Sequence, residues 1–406
     1  MNPAEQKQLL DDVDAFCEEL RPIEELCYVE HRYNDQVIPL AGKYKVLAMP
    51  VPVELGGRGA DTVTYARALA RIGREGTGVR TFFSGHTSIG QYPILTWGSE
   101  EQKRRYLPPG ARGEKIFAFG LTEPEAGSNP LEMQMTYERR GDHFVLNGVK
   151  YLISNAGIAT TIVTFAKSSP SPSPVPRGTP PGGEGGVRGR ISAFIVDAGG
   201  PGFNKEDLTA KLGMPTANTG MFELKDYKVP ANNLLGEEGN GFRVAMGTLV
   251  SGRLSVAAGC LGVIEDCLAE VVTYAKERQQ HGKPIGKHQL VQEHIAAIEM
   301  HRFATEAVVF RAAEAKDASQ GEPANADLKA RAELLAAQAK LFASNAAWDA
   351  ADRAVQIYGG RGWSTLYRPG RHLQDVRVCR IYEGTDEILK LKVAAAVLGK
   401  DFEAYK

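Results

Sequence analysis

FGLTEPEAGSN, residues 119–129, marks the point at which the chain changes character, and what lies on either side of it decides the fold. The stretch offers a hydroxyl at Thr122, a turn at Glu123–Pro124 and a small-residue patch, Ala126–Gly127–Ser128, where backbone can approach a flat ligand closely. Taken alone, it reads equally well as a surface turn. Before it, apolar residues recur at helical spacing over 5–28 and 62–76, separated by the Pro/Gly breaker MPVPVELGGRGAD at 49–61. After it, from Leu121 to Leu235, short β-branched runs alternate with glycine. HFVLNG and KYLISN read as two strands around an Asn-Gly turn, TTIVTFA and ISAFIVDA as further strands, and GMFELKDYKVP as the last. From Gly241 helical periodicity returns: Leu254, Ala257, Ala258, Leu261, Ile264, Leu268 and Val271 follow one face, and 289–317 and 327–358 continue the pattern beyond ordinary helix length. Long helices with apolar stripes need partners, so this last third reads as a bundle. The expectation is an α+β multidomain chain: a helical domain over 1–120, a β domain over 121–235 and a helical bundle over 236–406.

One segment fits none of these textures. Residues 168–190 are Ser, Pro or Gly at 16 of 23 positions, which leaves too little apolar surface for a core and predicts a mobile surface insertion between two strands. Composition otherwise excludes more than it identifies. A formal net charge of −1 gives no overall field to attract nucleic acid or anionic lipid. No run approaches a membrane span, and the acidic, amphipathic N-terminus is unlike a secretory or transit peptide. A cytoplasmic protein of bacterial type is expected, or one of the mitochondrial matrix if a transit peptide has been removed. Five cysteines without C-x-x-C spacing argue for reduced thiols. His294 and His301 could share a helical face, but no metal-ligand motif accompanies them and no metal site is expected.

Three further stretches carry chemistry. In YAKERQQHGKPIGKHQLVQEHIA (274–296), Arg278 ends one long helix, and its planar fork suits diphosphate oxygens. In QIYGGRGW (356–363), Gly359 and Gly360 end another helix and leave room for close approach; the spacing and context of a Rossmann fingerprint are absent. In RIYEGTDEI (380–388), Glu383 reads either as a surface acid near the start of the last helix or as a base.

In this order, with PVELGGRG, HTSIGQYPI, GSEEQKRRYLP, LNGVKYLISNA, KLGM and VPANNLLGEEGNGF, these motifs resemble the acyl-CoA dehydrogenase family over nearly the whole chain. The resemblance implies an N-terminal helical domain, a middle β-barrel and a C-terminal four-helix bundle, with FAD as cofactor and a homotetramer or dimer whose flavin touches two subunits. It places Leu121, Thr122 and Ser128 where flavin and thioester meet the middle domain, and Leu152, Ile153 and Ser154 beside the isoalloxazine ring. It assigns Arg278, His281, Gln289, Gln356, Gly359 and Gly360 to the FAD of a neighbouring subunit, and Thr385 and Glu387 to the adenosine-diphosphate end. Ser128, Arg253, Tyr382 and Gly384 fall at substrate positions. Glu383 stands at the catalytic base of short- and medium-chain members; the other known base position precedes Arg253 and is here Gly252, which has no side chain. The implied reaction is α,β-dehydrogenation of a saturated acyl-CoA, with an electron-transfer flavoprotein as acceptor.

The chain departs from the family at four points. Leu152 replaces a common tryptophan, Asn129 an aspartate, His281 an aromatic residue, and Val250 an aspartate that often contacts the substrate's carrier arm. Two alternatives stay open on these residues: an oxidase or monooxygenase on the same scaffold, and a dehydrogenase of thioesters held on a carrier protein.

Overall fold

The computed structural model describes residues 1–169, 190–402 and 404. The first helix, α1 (Pro3–Val29), starts behind Asn2, whose side chain accepts the N–H of Glu5 while Glu5 accepts the N–H of Asn2, a reciprocal cap. Then follow α2 (Val37–Lys43), α3 (Thr62–Glu75), α4 (Thr77–Phe83), a π-helical stretch from Ser84 to Gln91, α5 (Tyr92–Trp97) and α6 (Glu100–Ala111). Asp61 caps α3 by accepting the N–H of Thr64 at 2.7 Å. The apolar face of α3 (Leu69, Ile72) joins one core with Val13, Phe16 and Leu20 of α1 and with the long helix introduced below.

Eight strands form the middle region: β1 (Phe117–Gly120), β2 (Thr136–Arg140), β3 (His143–Ser154), β4 (Thr161–Ser168), β5 (Ile191–Asp197), β6 (Phe203–Asp207), β7 (Thr219–Pro230) and β8 (Leu234–Leu235). They hydrogen-bond in the order β6-β7-β3-β2-β4-β5-β8, with β1 parallel to β4. The sheet wraps around one core of Phe144, Ile162, Phe194, Phe222 and Val229, the expected barrel, with no pairing between its end strands β6 and β8. The predicted insertion lies, except for its ends, outside the described residues; those ends meet where the N–H of Ser168 donates to the carbonyl of Arg190 at 2.9 Å.

One local expectation is corrected. HFVLNG and KYLISN are not two strands around a turn but one strand, β3, which runs straight through Asn147–Gly148. The Asn147 side chain accepts the N–H of Asp226 on β7 at 2.7 Å, and Gly148, at φ +145, sits at a register shift where a Cβ would press on the Met135 backbone. An Asn-Gly pair here makes a bulge in the ladder and not a reversal.

The last region holds α7 (Gly241–Glu277), α8 (Gln289–Gly321), α9 (Ala326–Tyr358), α10 (Arg368–Val376) and α11 (Asp386–Leu398), with a two-residue hairpin, β9 (Gln279–Gln280) and β10 (Lys283–Pro284), between α7 and α8. Alanines at 332, 336, 339, 343, 347, 350 and 354 form a buried small-residue stripe along α9, which packs against α7, α8, α10 and α11.

Candidate active site

The turn before α11 presents Glu383. Its backbone is left-handed, at φ +57, and Gly384 follows at +99. Several buried groups hold this turn in place. Arg253 Nε on α7 donates to the carbonyl of Glu383 at 3.1 Å, and Lys340 Nζ on α9 to that of Gly384 at 2.7 Å. Tyr382 takes a hydrogen bond from Arg80 Nη2 on α4, and its hydroxyl lies 3.2 Å from Cys379 Sγ. Asp386 accepts from Arg380 at 2.8 Å and Asn345 at 3.0 Å. Thr385 is the N-cap of α11, accepting the N–H of Ile388 at 3.3 Å. Glu387 is exposed in the first turn, where helix and hydroxyl hold its carboxyl below the usual range.

Held this way, Glu383 turns its side chain inward against α7. Its Oε2 is shut off from solvent and has no hydrogen-bond partner among the described residues. Removal from water pushes its pKa up to about 7, with Arg253, Arg80 and Lys340 pulling the other way. A Cβ on Gly252 would lie 2.5 Å from Glu383 Oε1, so the carboxylate fills the space that a side chain at 252 would need. An unpartnered carboxylate with a pKa near neutrality is equipped to accept a proton.

The stretches 119–129 and 146–156 meet as one wall. The N–H of Tyr151 donates to the carbonyl of Thr122 at 2.9 Å, and buried Lys150 donates to the Leu121 carbonyl at 3.1 Å and to Glu123 Oε1 at 2.8 Å. Glu123 also accepts the N–H of Met135 at 3.0 Å. On this wall Leu152 bulges out of β3 at φ +57 with half its surface exposed, Ile153 turns into the barrel core, and Ser154 is half-buried. Ser128 is exposed, and a Cβ on Gly127 would meet nothing within 4 Å. Asn155 Nδ2 ties the end of β3 to the carbonyls of Phe82 on α4, the helix that carries Arg80, and of Phe117 on β1, both at 3.2 Å. An exposed apolar residue beside an open small-residue patch fits a flat cofactor such as FAD.

Arg278, His281, Gln289, Gln356, Gly359 and Gly360 are all exposed and form a separate group at the other end of the bundle. There Tyr274 of α7 and Tyr358 of α9 stack at 4.1 Å, Gly359 caps α9 at φ +60, and His281 turns the β9–β10 hairpin at φ +55. Gly252 lies 26 residues before Arg278 on α7, a distance of about 39 Å at the helical rise. The structure therefore does not bring this group to the same chain's Glu383.

Three functional neighbours escaped the motif reading. Arg80 and Lys340 were signalled only as single charges in the apolar runs GVRTFF and AAQAKLFA, and Lys150 as a charge in a strand. All three are buried and touch the candidate site.

Known proteins share the sequence and architecture of this chain. The family models for the acyl-CoA dehydrogenase N-terminal, middle and C-terminal domains match residues 3–114, 118–227 and 239–398. An acyl-CoA dehydrogenase of Bacillus subtilis (strain 168) is 38% identical over 386 residues, covering 95% of this chain and 96% of its own. The butyryl-CoA dehydrogenase structure from Megasphaera elsdenii superposes with a TM-score of 0.88 at 33% identity, covering 98% of this chain and 99% of that one. A chain in the solved structure described as the electron transferring flavoprotein of Acidaminococcus fermentans does so with a TM-score of 0.88 at 34% identity, covering 98% of each. This chain belongs to the acyl-CoA dehydrogenase family of FAD-dependent oxidoreductases.

Proposed function

We propose that the chain dehydrogenates saturated acyl-CoA thioesters to trans-2-enoyl thioesters with Glu383 as the base. The observation that carries this reading is the unpartnered, shielded carboxylate, raised to about 7 and aimed at the space beside Gly252. A proton α to a thioester carbonyl is too weakly acidic for a carboxylate unless the carbonyl oxygen is polarised by fixed donors. The N–H of Glu383 makes no hydrogen bond among the described residues and is free to be one such donor. Arg253 and Lys340 hold the next two carbonyls along the chain, those of Glu383 and Gly384, and so fix the turn that carries this N–H. FAD, when bound, supplies acceptance of the β-hydrogen as hydride.

The wall of Leu121, Thr122, Ser128, Leu152, Ile153 and Ser154 would hold the flavin ring, with Thr385 and Glu387 towards its diphosphate. Ser128, Arg253, Tyr382 and Gly384 would line the substrate. The roughly 39 Å between Gly252 and Arg278 along α7 supports assigning Arg278, His281, Gln289, Gln356, Gly359 and Gly360 to the FAD of a second copy, in a homotetramer or dimer. The match to a chain of an electron transferring flavoprotein structure supports a flavoprotein of that kind as electron acceptor. The bacterial relatives support a cytoplasmic setting, and no helix of the described residues is long and apolar enough to cross a membrane.

The test is anaerobic addition of saturated acyl-CoA thioesters to the yellow protein. Loss of the oxidised-flavin absorbance with formation of the 2-enoyl thioester is expected. A flavin that dithionite reduces but no thioester bleaches would overturn the reading.

A further inference from the structure

Behind the base lies a pair of thiols that the proposed reaction does not use. Cys379 sits in the short 3-10 turn Arg377–Arg380, four residues before Glu383, and Cys260 lies on α7 next to Gly259. Both are free and buried, each 2% exposed. Cys379 Sγ is 3.2 Å from the Tyr382 hydroxyl and in hydrogen-bond contact with the Cys260 thiol. The neighbours give these bonds a direction. Arg80 Nη2 donates to the Tyr382 oxygen, which leaves the hydroxyl proton for Cys379. The Cys379 sulfur therefore accepts from Tyr382 and from Cys260, with the Arg80 guanidinium behind the tyrosine.

A sulfur that accepts two hydrogen bonds beside cations favours the thiolate, and the thiolate is the form that oxidants attack. Cys379 is accordingly pulled below the ordinary thiol range by the Cys260 hydrogen bond, the Arg80 charge, the Tyr382 hydroxyl and the Lys340 charge, against its burial. Cys260 is pushed the other way by the same contact. Cys17, Cys27 and Cys267 are also pushed up, burial being the first cause at each. One activated sulfur with a second thiol against it is the arrangement of an oxidisable pair. Tyr382, the side chain in contact with Cys379, is only half-buried, which leaves a small oxidant one residue away from the sulfur.

We infer that Cys260 and Cys379 form a disulfide when the enzyme meets hydrogen peroxide, and that this bond reversibly switches off the base beside them. The Cys379 sulfur attacks one peroxide oxygen, the O–O bond breaks, and a sulfenic acid and hydroxide result. The Cys260 sulfur then attacks the Cys379 sulfur, the S–O bond breaks, and the departing hydroxide takes the Cys260 proton to become water. Overall, two thiols and one peroxide give a disulfide and two waters, so each sulfur loses one electron and the peroxide oxygens gain both. Closure brings the sulfurs to about 2.05 Å. It removes the acceptor of the Tyr382 hydroxyl and ties α7 to the turn that leads into Glu383. The carboxylate is then displaced from its place against Gly252. The effect on turnover rests on the dehydrogenase reading above; formation of the disulfide does not.

The experiment treats the FAD-loaded enzyme with hydrogen peroxide, quenches it in acid, alkylates the unfolded chain and maps its cysteines by mass. Turnover of the thioester that bleaches the flavin fastest is followed in parallel. Expected are one Cys260–Cys379 disulfide, a fall in kcat of about tenfold or more, and recovery of both thiols and of the rate with dithiothreitol. Cys260→Ala should form no disulfide and should carry instead a Cys379 sulfenic acid that dimedone traps. Cys379→Ser, which lacks the attacking sulfur, should keep its remaining thiols and its own rate at the same peroxide dose. Thiols at 260 and 379 that stay free under peroxide, or a disulfide between other cysteines, overturn the inference. So does a mapped Cys260–Cys379 disulfide that leaves the rate unchanged, or a loss of rate that dithiothreitol does not reverse. If no thioester bleaches the untreated enzyme, the dehydrogenase reading fails, while the mapping still tests the disulfide. The wild-type map decides even if neither variant folds.

Discussion

Glu383 adopts a left-handed backbone conformation at φ +57, which costs a residue with a side chain on the order of 1–3 kcal/mol. The bonds from Arg253, Lys340 and Arg80 hold it there, and the result is a carboxylate with one oxygen, Oε2, shut off from solvent. Its pKa, raised by burial to about 7, gives a definite pH dependence. The acid form is inactive as a base, so kcat/KM should rise with pH through about 7 and level off above it. An acid limb at the ordinary glutamate value would show that burial does not control the base. Gly252→Ala tests position instead of charge. The added methyl meets the far end of a flexible side chain, so the protein should fold and bind FAD normally. The carboxylate must shift, however, and kcat should fall by roughly 10²-fold. Sequence revealed Glu383 because its neighbours form a contiguous motif. It hid the closeness of Arg80, because the contact with Tyr382 joins residues 302 positions apart.

At the scale of elements, the wall between 119–129 and β3 depends on one buried ion pair. Lys150→Met would leave the Glu123 carboxylate buried without its cation, at a cost of about 3 kcal/mol or more. Urea unfolding should show the loss, and Lys150→Met combined with Glu123→Gln should recover part of it. If the single replacement is as stable as wild type, the pair does not hold the wall. Strands β3, β4, β5 and β7 were legible from their β-branched runs, and the long helices from their periodicity, whereas β1, β2, β6 and β8 were not. The misread Asn147–Gly148 shows the limit: the pair would have served a hairpin, but the Asn147 contact with Asp226 and the approach of Met135 come from other strands. β2 was missed for a related reason, since TYERR carries one apolar residue and gains its strand identity by pairing with β3.

Over the whole molecule, order and spacing of motifs revealed the helical–β–helical architecture and, through the family resemblance, implied two groups of site residues, to which the structure adds their separation along α7. That separation predicts complementation. Arg278→Ala should lose FAD on gel filtration, with affinity weakened roughly tenfold or more, and Glu383→Gln should be inactive for want of a base. Co-assembled chains of the two kinds should regain activity, because one of the resulting sites combines an intact Glu383 with an intact Arg278. No recovery in a confirmed mixed assembly would place both residues in the same chain's site.

The base assignment itself is open to a single rapid-mixing measurement. Wild-type and Glu383→Gln proteins, both loaded with FAD, are mixed anaerobically with the thioester that wild type reduces fastest, and flavin bleaching is timed. The variant should bind the thioester yet bleach about 10²–10⁴-fold more slowly. Equal rates in the two proteins would mean that Glu383 does not take the proton.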